Sequence, residues 1–465
     1  MMTSEQTTAS TSVTRDVDER PPGPKRWWSF LNTLESRKDP LSYHIQNRER
    51  YGDIVYIKTS EVDFFVFNDP EDIHRILVKE SKNTEKGRGL ERMKPVLGEG
   101  LLTSNGEFHR RQRRLVLPAF HRQRIQSYAT IMASYTDTFQ QQWNDGDVVD
   151  ISDDMMKLTL QIVGKTLFDK DVSAEASAVG HAIDKLMKGW WLSMLLPEFL
   201  VKLLLKAPLP MLRDFQKSID GLDQIIFDLI KERRESGEDH GDLLSMLLQS
   251  VDDEDNNSQM TDQQARDESM TLFLAGHETT ANALTWTWYL LAQNPECEAR
   301  LHEELDSVLQ GRLPTYEDIP NLPYTEMVIS ESMRLYPPAW MIGRRTLVPL
   351  EFKGYTIPAE STILTSQFVV HHDERWYPDP WKFDPMRWTP EEKAKRPKFS
   401  YFPFGGGIRR CIGEAFAWME AIILLATMAQ SWKMHLEPNQ KIVPEPLITL
   451  RPKYGLKVKL EQRNP

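Results

Sequence analysis

The order of hydrophobic and polar positions divides the chain into a β-rich beginning and long helical stretches. Residues 51–68 hold two apolar segments around a polar break, which predicts a β-hairpin. Asp69 and Pro70 then favour a helix start, because Asp caps a first turn and Pro fits its first position. Helical periodicity dominates residues 120–250. The pattern therefore predicts a mainly α fold with small β-sheets.

One long helix is predicted in the second half of the chain. Thr261 and Gln264 have the spacing of a capping box, and a helical pattern runs from there to Asn294 and Pro295. About 33 residues at ~1.5 Å rise give a length of about 50 Å, enough to cross a whole domain. No Gly/Ser-rich linker or repeat divides the 465 residues, so we expect a single domain with a long central helix.

The connecting segments give three further predictions. Residues 83–105 carry glycine and charge, which is typical of a loop. The segment 190–212 is unusually apolar but is interrupted by prolines, glutamate and lysines, so it does not predict a membrane-spanning helix. It is either a core helix or a lid over a ligand channel, and its apolar residues could touch a membrane surface. The tail, 447–458, predicts a hairpin whose turn could reach a pocket.

Composition narrows the function classes. The net charge of −11 argues against general nucleic-acid binding, which normally needs a basic excess. The two cysteines, Cys297 and Cys411, are far apart, which is no disulfide framework and fits a reducing compartment. Residues 1–20 predict a disordered polar tail without a signal peptide or membrane anchor, ahead of a domain at 21–465. We therefore expect a soluble, cytoplasmic protein.

The strongest chemical signal is the glycine-rich stretch at residues 402–413, which contains Cys411. Three consecutive glycines allow a tight turn and the close approach of a flat ligand. Cys411 lies just before a helical pattern that begins at Glu414, where backbone N–H groups and the helix dipole favour a thiolate. A thiolate there is a nucleophile or a metal ligand. The alternative is that Cys411 is a small buried hydrophobic residue.

A second signal lies inside the long helix, at residues 274–280. Gly276, Thr279 and Thr280 are poor helix formers placed together, which suggests a local widening that admits water or a ligand. Glu278 and Thr279 would then supply an acid and an alcohol for proton delivery. The alternative is that the threonine hydroxyls bond to carbonyl groups of their own helix.

A third signal is the basic run at residues 106–118. His109 and Arg113 have i, i+4 spacing and therefore share one face of a helix. The run is either a solvated helix face or a site for a phosphate or carboxylate group.

The glycine-rich stretch resembles a known family signature. The pattern Phe404-x-x-Gly407-x-Arg409-x-Cys411-x-Gly413 matches the haem-binding signature of the cytochrome P-450 family at every fixed position. The resemblance covers the chain from about residue 21 to its end. It implies the mostly helical cytochrome P-450 fold and a haem b cofactor (iron protoporphyrin IX), with Cys411 as the axial thiolate ligand of the iron.

The resemblance also implies roles for the other signals. The run in the long helix matches the oxygen-activation motif of the family, so Glu278 and Thr279 would relay protons to dioxygen. His109 and Arg113 are similar to the pair that contacts the haem propionates, and Arg344 is a further candidate for such a contact.

The same resemblance implies a structural charge cluster and an apolar pocket. Glu331, Arg334 and Arg387 would fix the loop that holds the cysteine, and breaking such a buried set could cost ~3–5 kcal/mol. The candidate pocket residues are Phe273, Leu274, Ala275, Ala339, Trp340, Met341, Ile342 and Ile448.

The implied activity is a haem-thiolate monooxygenase that inserts one atom of O₂ into an apolar substrate by hydroxylation or epoxidation. A fatty-acid-like or terpenoid-like substrate is expected. Electrons would come ultimately from NAD(P)H through a separate ferredoxin, flavodoxin or reductase, with Arg110, Arg111 and Arg124 facing an acidic partner. A peroxygenase of the same family would not need Glu278 and Thr279. A non-enzymatic haem sensor or carrier is the other alternative.

Overall fold

The computed structural model describes residues 20–24, 32, 35, 36, 38–59, 62–170, 189, 210–252 and 258–463. The predicted polar tail lies outside these residues except for Arg20. Most of the apolar segment 190–212 also lies outside them. Both interpretations of these segments therefore stay predictions.

Most of the described chain is helical. Two short segments differ from regular α-helix at places that matter for the site: Arg75–Lys79 is a single π turn, and Gly407–Arg409 is a 3₁₀ turn. The α-helices of the described residues are α1 (Pro40–Tyr51), α2 (Pro70–His74), α3 (Arg88–Glu91), α4 (Lys94–Leu97), α5 (Gly106–Val116), α6 (Arg122–Gln140), α7 (Ile151–Phe168), α8 (Pro210–Ser236), α9 (Leu243–Gln249), α10 (Asp262–Gln293), α11 (Pro295–Leu309), α12 (Pro323–Leu335), α13 (Gln367–His371), α14 (Pro390–Ala394) and α15 (Glu414–Ser431). Further 3₁₀ turns are Leu117–Phe120, Tyr316–Asn321, Pro385–Trp388 and Lys398–Ser400.

The strands are short and form small sheets. They are β1 (Ile54–Lys58), β2 (Asp63–Phe67), β3 (Thr84–Lys86), β4 (Val148–Asp150), β5 (Val251–Asp252), β6 (Ser258–Gln259), β7 (Ile342–Thr346), β8 (Leu350–Phe352), β9 (Tyr355–Ile357), β10 (Thr362–Thr365), β11 (Trp432–Leu436), β12 (Pro444–Pro446), β13 (Leu450–Pro452) and β14 (Lys457–Gln462).

The largest sheet has the order β1-β2-β10-β7-β3, with β10 parallel to β2 and the other pairs antiparallel. The hairpin predicted at residues 51–68 is confirmed as β1 and β2, with Ile54 opposite Phe67. A second sheet has the order β11-β14-β4, and three further pairs join β5 to β6, β8 to β9, and β12 to β13. The mainly α fold with small sheets is therefore confirmed.

Helix α10 is the predicted central helix. Its capping box is complete, because Thr261 Oγ1 accepts from the Gln264 backbone and the Gln264 side chain accepts from the Thr261 backbone. The helix is α-helical over all of its 32 residues, and Thr279 Oγ1 donates to the Ala275 carbonyl at 2.8 Å. The structure therefore shows the carbonyl-bonded alternative at this run instead of the expected widening.

The predicted loop at residues 83–105 is only partly a loop, since β3, α3 and α4 lie within it. Its conformation depends on contacts with the start of α10, which local periodicity does not reveal. Asp267 accepts a hydrogen bond from the Glu99 backbone at 2.8 Å, and Glu268 accepts one from the Leu101 backbone at 2.9 Å. A Cβ at Gly100 would lie 2.2 Å from the Thr271 hydroxyl, so only glycine fits there.

A buried network of charged and polar groups connects α12 to the segments that precede the cysteine loop. The Arg334 guanidinium donates to both carboxylate oxygens of Glu331 at 2.8 Å, and both side chains are fully buried. Arg387 lies 3.3 Å from the same carboxylate, and the Trp388 indole donates to it at 2.9 Å. Arg334 also donates to the His371 carbonyl at 2.9 Å.

His371 extends this network to the cysteine loop. Its Nε2 accepts the backbone N–H of Phe402 at 3.2 Å, which requires that nitrogen to be unprotonated. Burial also lowers the pKa of His371 well below its usual value, so the imidazole is neutral. The network therefore reaches the first residue of the stretch 402–413.

Glu420 is a fully buried carboxyl on α15, beside the Thr280 hydroxyl of α10. Burial raises the pKa of Glu420 to about 8, and the Thr280 hydroxyl acts in the opposite direction. Glu268 is a second buried carboxyl, with a pKa raised by burial to about 7. Both groups therefore hold a proton well above the pH at which an exposed glutamate loses it.

Within the described residues, no helix has both the length and the apolar character needed to span a membrane.

Replacing Glu331 with glutamine tests the charge cluster. We expect Glu331→Gln to lower the free energy of unfolding by ~3–5 kcal/mol, because Arg334 then stays buried without its counter-charge. Urea denaturation measures this change. Glu326→Gln, at an exposed position of the same helix, is the matched control. A loss below ~1 kcal/mol at residue 331 would show that the pair contributes little.

The Glu420 carboxyl predicts a pH dependence of stability. Because burial raises the pKa of Glu420 in the folded protein, the protonated carboxyl contributes fully to the free energy of unfolding at low pH. This contribution is lost as the pH rises toward 8, by at most about 1.4 kcal/mol per pH unit. Glu420→Gln should flatten the curve of unfolding free energy against pH between about 5 and 8. Part of the slope should remain, because Glu268 titrates in the same window. Parallel curves for both proteins would contradict this assignment.

Candidate active site

The cysteine loop turns tightly against the π turn at Arg75–Lys79. Gly405 and Gly407 have φ angles of 71° and 68°, a region that glycine adopts readily. A Cβ at Gly407 would lie 2.0 Å from the Leu77 carbonyl oxygen, so a side chain there would displace the backbone. The Cys411 backbone N–H donates to the Phe404 carbonyl at 3.0 Å, which closes the loop.

Cys411 lies where the sequence predicted it, just before a helix. Gly413 caps α15, and the thiol faces an internal cavity. Burial raises the pKa of the Cys411 thiol to about 11, against smaller lowering effects of the Gly413 backbone N–H and the Arg113 charge. The expected thiolate is therefore not favoured by the protein alone. A metal cation at the sulfur would stabilise the thiolate, since a thiol that coordinates a metal is deprotonated.

The cavity next to Cys411 has a volume of about 1310 Å³. A pocket for one small molecule typically measures about 300–1,000 Å³, so this cavity has room for a flat cofactor and a second ligand. One face of α10 forms a wall, with positions three, four and seven apart that turn toward the cavity. These residues are Leu272, Ala275, Gly276, Thr279, Thr280 and Ala283.

Most of the predicted pocket residues line this cavity. Ala275 does so from α10, as do Ala339, Trp340, Met341, Ile342 and Ile448 from other elements. Phe273 and Leu274 do not, and for them the prediction is wrong. Both are buried in the main core, where the Phe273 ring packs edge-on against Phe168 with 6.0 Å between the ring centroids. Successive helix residues are about 100° apart, so one face cannot include 273, 274 and 275.

Six lysine and arginine residues line the same cavity: Lys86, Arg88, Arg92, Arg344, Arg345 and Arg409. Of these, Lys86, Arg344 and Arg409 form no ion pair in the described part of the structure, and we refer to these three as the basic group. Arg409 donates to the Ser104 carbonyl at 3.1 Å and to the Asn105 side chain at 2.9 Å. Burial, together with the charge of Arg409, lowers the pKa of Arg344 to about 10. Burial also lowers the pKa of Arg409 to about 10, although the Glu85 carboxylate acts in the opposite direction.

Lys86 was not predicted by the sequence analysis. Its ammonium donates to the backbone carbonyls of Leu101 and Leu102, and only 6% of the residue is exposed. Burial, together with the charges of Arg409 and Arg344, lowers its pKa well below the usual value. A lone lysine within a short strand gives no sequence signal for this position.

His109 and Arg113 lie on α5 beside this group. His109 is buried, and burial together with the nearby cations lowers its pKa to about 3, so the ring is neutral. Arg113 is half-buried, and burial lowers its pKa as well. Neither side chain lines the cavity, so their contact with a carboxylate ligand stays a prediction.

The basic group fits an anionic ligand. The hydrogen bonds that the structure shows for Lys86, Arg344 and Arg409 all go to neutral carbonyl or amide oxygens. Neighbouring buried cations repel each other, and an anion bound between them would stabilise their charged forms. Two carboxylates of a flat cofactor would supply that charge, and the nearby thiol would supply a ligand to its metal. The residues present therefore fit a haem group.

The proposed acid and alcohol face different directions. Thr279 lines the cavity, whereas Glu278 is buried behind it. One carboxylate oxygen of Glu278 accepts a hydrogen bond from Thr449 Oγ1 at 2.6 Å. Glu278 and Thr279 are therefore neighbours in sequence, but only Thr279 reaches the cavity in this conformation.

The remaining predicted residues lie in the cavity wall, in the cysteine loop or at the surface. Phe404 and Gly413 line the cavity, and Gly407 supports the loop behind it. Arg110 pairs with Glu107, and its side chain is 46% exposed. The Arg124 side chain is 42% exposed. The docking role of the surface arginines, including Arg111, stays a prediction.

Comparisons with known proteins match this chain to one family. The family profile described as Cytochrome P450 matches residues 21–460. Cyclooctatin synthase from Streptomyces melanosporofaciens is 40% identical over 419 residues, which are 90% of each chain. Pentalenene oxygenase from Streptomyces avermitilis is 35% identical over 92% of this chain and 94% of its own. Cyclooctat-9-en-7-ol 5-monooxygenase from Streptomyces melanosporofaciens is 35% identical over 88% of each chain.

The profile match covers nearly the whole chain, and the relatives align over most of their length. Cys411 and the basic group line one large cavity, an arrangement that would fit a haem-thiolate site. The chain belongs to the cytochrome P450 family, and it is an oxidoreductase that incorporates oxygen into its substrate.

Proposed function

We propose that this enzyme hydroxylates or epoxidises a terpenoid-like substrate within the 1310 Å³ cavity. The observation that carries the proposal is that the Cys411 thiol and the Thr279 hydroxyl face the same, mainly apolar space. The thiol would hold the haem iron, and the space between thiol and hydroxyl would take an apolar molecule.

The cavity wall supports a bulky apolar substrate. Trp340 and Met341 line it, and the Trp340 indole is fixed by a hydrogen bond to the Leu447 carbonyl at 2.9 Å. Such a rigid aromatic wall suits a compact, ring-containing molecule better than a flexible chain. Two of the relatives are named for pentalenene and cyclooctat-9-en-7-ol, and neither name specifies an acid. A terpenoid-like substrate is therefore favoured over a fatty-acid-like one.

The residues of the chain would divide the work of the site. When bound, haem supplies the oxygen-activating redox chemistry, and the thiolate ligand favours O–O cleavage. Lys86, Arg344 and Arg409 would bind the propionate groups and orient the ring. The apolar wall would exclude bulk water. The Thr279 hydroxyl, which donates to the Ala275 carbonyl in this structure, would turn to donate a hydrogen bond inside the cavity.

Electrons would come from NAD(P)H through a separate ferredoxin, flavodoxin or reductase. Arg110 and Arg124 lie at the surface and would suit an acidic partner. The peroxygenase alternative is less well supported, because Thr279 faces the cavity with Glu278 next to it in sequence. The same hydroxyl in a large apolar cavity favours an enzyme over a haem sensor or carrier.

The two cysteines allow a matched test of the proposed ligand. We expect Cys411→Ser to abolish the Soret band typical of thiolate ligation in the reduced, carbon monoxide-bound protein, and product formation with it. Cys297→Ser should keep both. The substrates are a panel of cyclic terpenes, their alcohols and fatty acids, ranked by spin-state shift and then by product analysis. Unchanged spectra for Cys411→Ser would exclude haem-thiolate chemistry, and turnover of fatty acids alone would exclude the substrate class.

The basic group predicts a loss of cofactor retention. We expect Lys86→Met or Arg409→Leu to speed the transfer of haem to apomyoglobin by about 10- to 100-fold, the effect of roughly 1.5–3 kcal/mol for a charge-assisted hydrogen bond. Lys82→Met, at an exposed position nearby, is the control and should match the wild type. Equal transfer rates for all variants would show that these cations do not bind the cofactor.

A further inference from the structure

The turn between β12 and β13, residues 447–449, touches both the cavity and the long helix. Leu447 and Ile448 line the cavity. Thr449 does not, and only 5% of it is exposed. Its hydroxyl donates to the Glu278 carboxylate at 2.6 Å. A molecule that contacts Ile448 therefore presses on the same turn that holds the acid of the long helix.

The hydrogen bonds around Thr449 have one consistent direction. The Asn282 side chain donates to Thr449 Oγ1 at 3.1 Å, and that oxygen carries the hydrogen donated to Glu278. All three residues are at least 95% buried, which makes each bond costly to break without a replacement. Asn282 and Glu278 are one helical turn apart on α10, so both can form hydrogen bonds with the same threonine hydroxyl.

Both ends of the turn are fixed by tryptophan side chains. The Trp340 indole donates to the Leu447 carbonyl and the Trp286 indole to the Leu450 carbonyl, each at 2.9 Å. The Leu450 backbone N–H also donates to the Pro338 carbonyl at 2.9 Å. With Leu447 and Leu450 fixed, a displacement of the turn from the cavity side would be taken up by Ile448 and Thr449, which lie between them.

We propose that Thr449 is a positioning residue that keeps the Glu278 carboxylate away from the cavity until a substrate displaces Ile448. The proposal rests on the monooxygenase function proposed above. Thr279 already faces the cavity, so Glu278 is the partner that must turn before a proton can pass between them. The enzyme would then respond only to substrates large enough to reach Ile448.

Three variants separate this role from a purely structural one. Thr449→Val removes the hydroxyl and keeps the shape, and Thr449→Ser keeps the donor. Thr287→Val is the control. Thr287 is a buried threonine of α10 whose hydroxyl donates to the Ala283 carbonyl of the same helix. Each protein is supplied with electrons from a surrogate ferredoxin and reductase, with and without a cyclic terpene that gives a spin-state shift.

The first readout is peroxide formed without substrate, when two electrons from the donor and two protons reduce O₂ to H₂O₂. We expect Thr449→Val to raise this rate about fivefold, the factor that corresponds to the loss of one hydrogen bond of about 1 kcal/mol. The stimulation of oxygen consumption by substrate should fall by a similar factor. Thr449→Ser and Thr287→Val should behave like the wild type.

The second readout does not depend on turnover. Hydrogen–deuterium exchange of residues 444–452 should increase when substrate binds to the wild type. In Thr449→Val this exchange should already be fast without substrate.

Two results would overturn the proposal. One is a Thr449→Val protein that forms less product with no rise in substrate-free peroxide, because Thr449 would then hold Glu278 in its working orientation. The other is exchange in the turn that does not respond to substrate. If the wild type makes no product from any substrate, the proposed function fails, and the exchange experiment still decides the role of Thr449.

Discussion

Unbalanced charge in a desolvated space is the constraint on which this site depends. Burial disfavours the ionised form of the Cys411 thiol, and it disfavours the charged forms of Lys86 and Arg344 in the same cavity. The protein provides no anion among the described residues that bonds directly to these cations. A cofactor that brings a metal cation to the sulfur and carboxylates to the basic group would relieve both penalties at once. Relief of these two electrostatic penalties would therefore contribute to the free energy of cofactor binding.

The residues that fix the cysteine loop come from distant parts of the chain. Glu331 and Arg334 are next to each other on α12, but their hydrogen bonds reach the segments around residues 371 and 380–388. His371 then carries the network to Phe402 at the start of the cysteine loop. A loop with three glycines has little conformational preference of its own, so its shape has to come from such contacts.

Sequence patterns predicted the elements whose signals are local. The capping box at Thr261, the β1–β2 hairpin and the helix after Cys411 all follow from residues within one or two turns of each other. The family signature carried the ligand assignment. What the sequence could not provide was the direction of side chains across a buried helix. Phe273 and Leu274 looked equivalent to Ala275, and only the packing of α10 against Phe168 separates them. Lys86 and Thr449 were missed because their partners lie far away in sequence.

The segment at residues 98–105 joins two of these features. Its carbonyl groups bind Lys86 and Arg409, and its backbone N–H groups are held by Asp267 and Glu268 at the start of α10. The segment therefore lies between two cations on one side and two carboxylates of the long helix on the other. The beginning of the long helix is therefore coupled through this one segment to two of the cations that line the cavity.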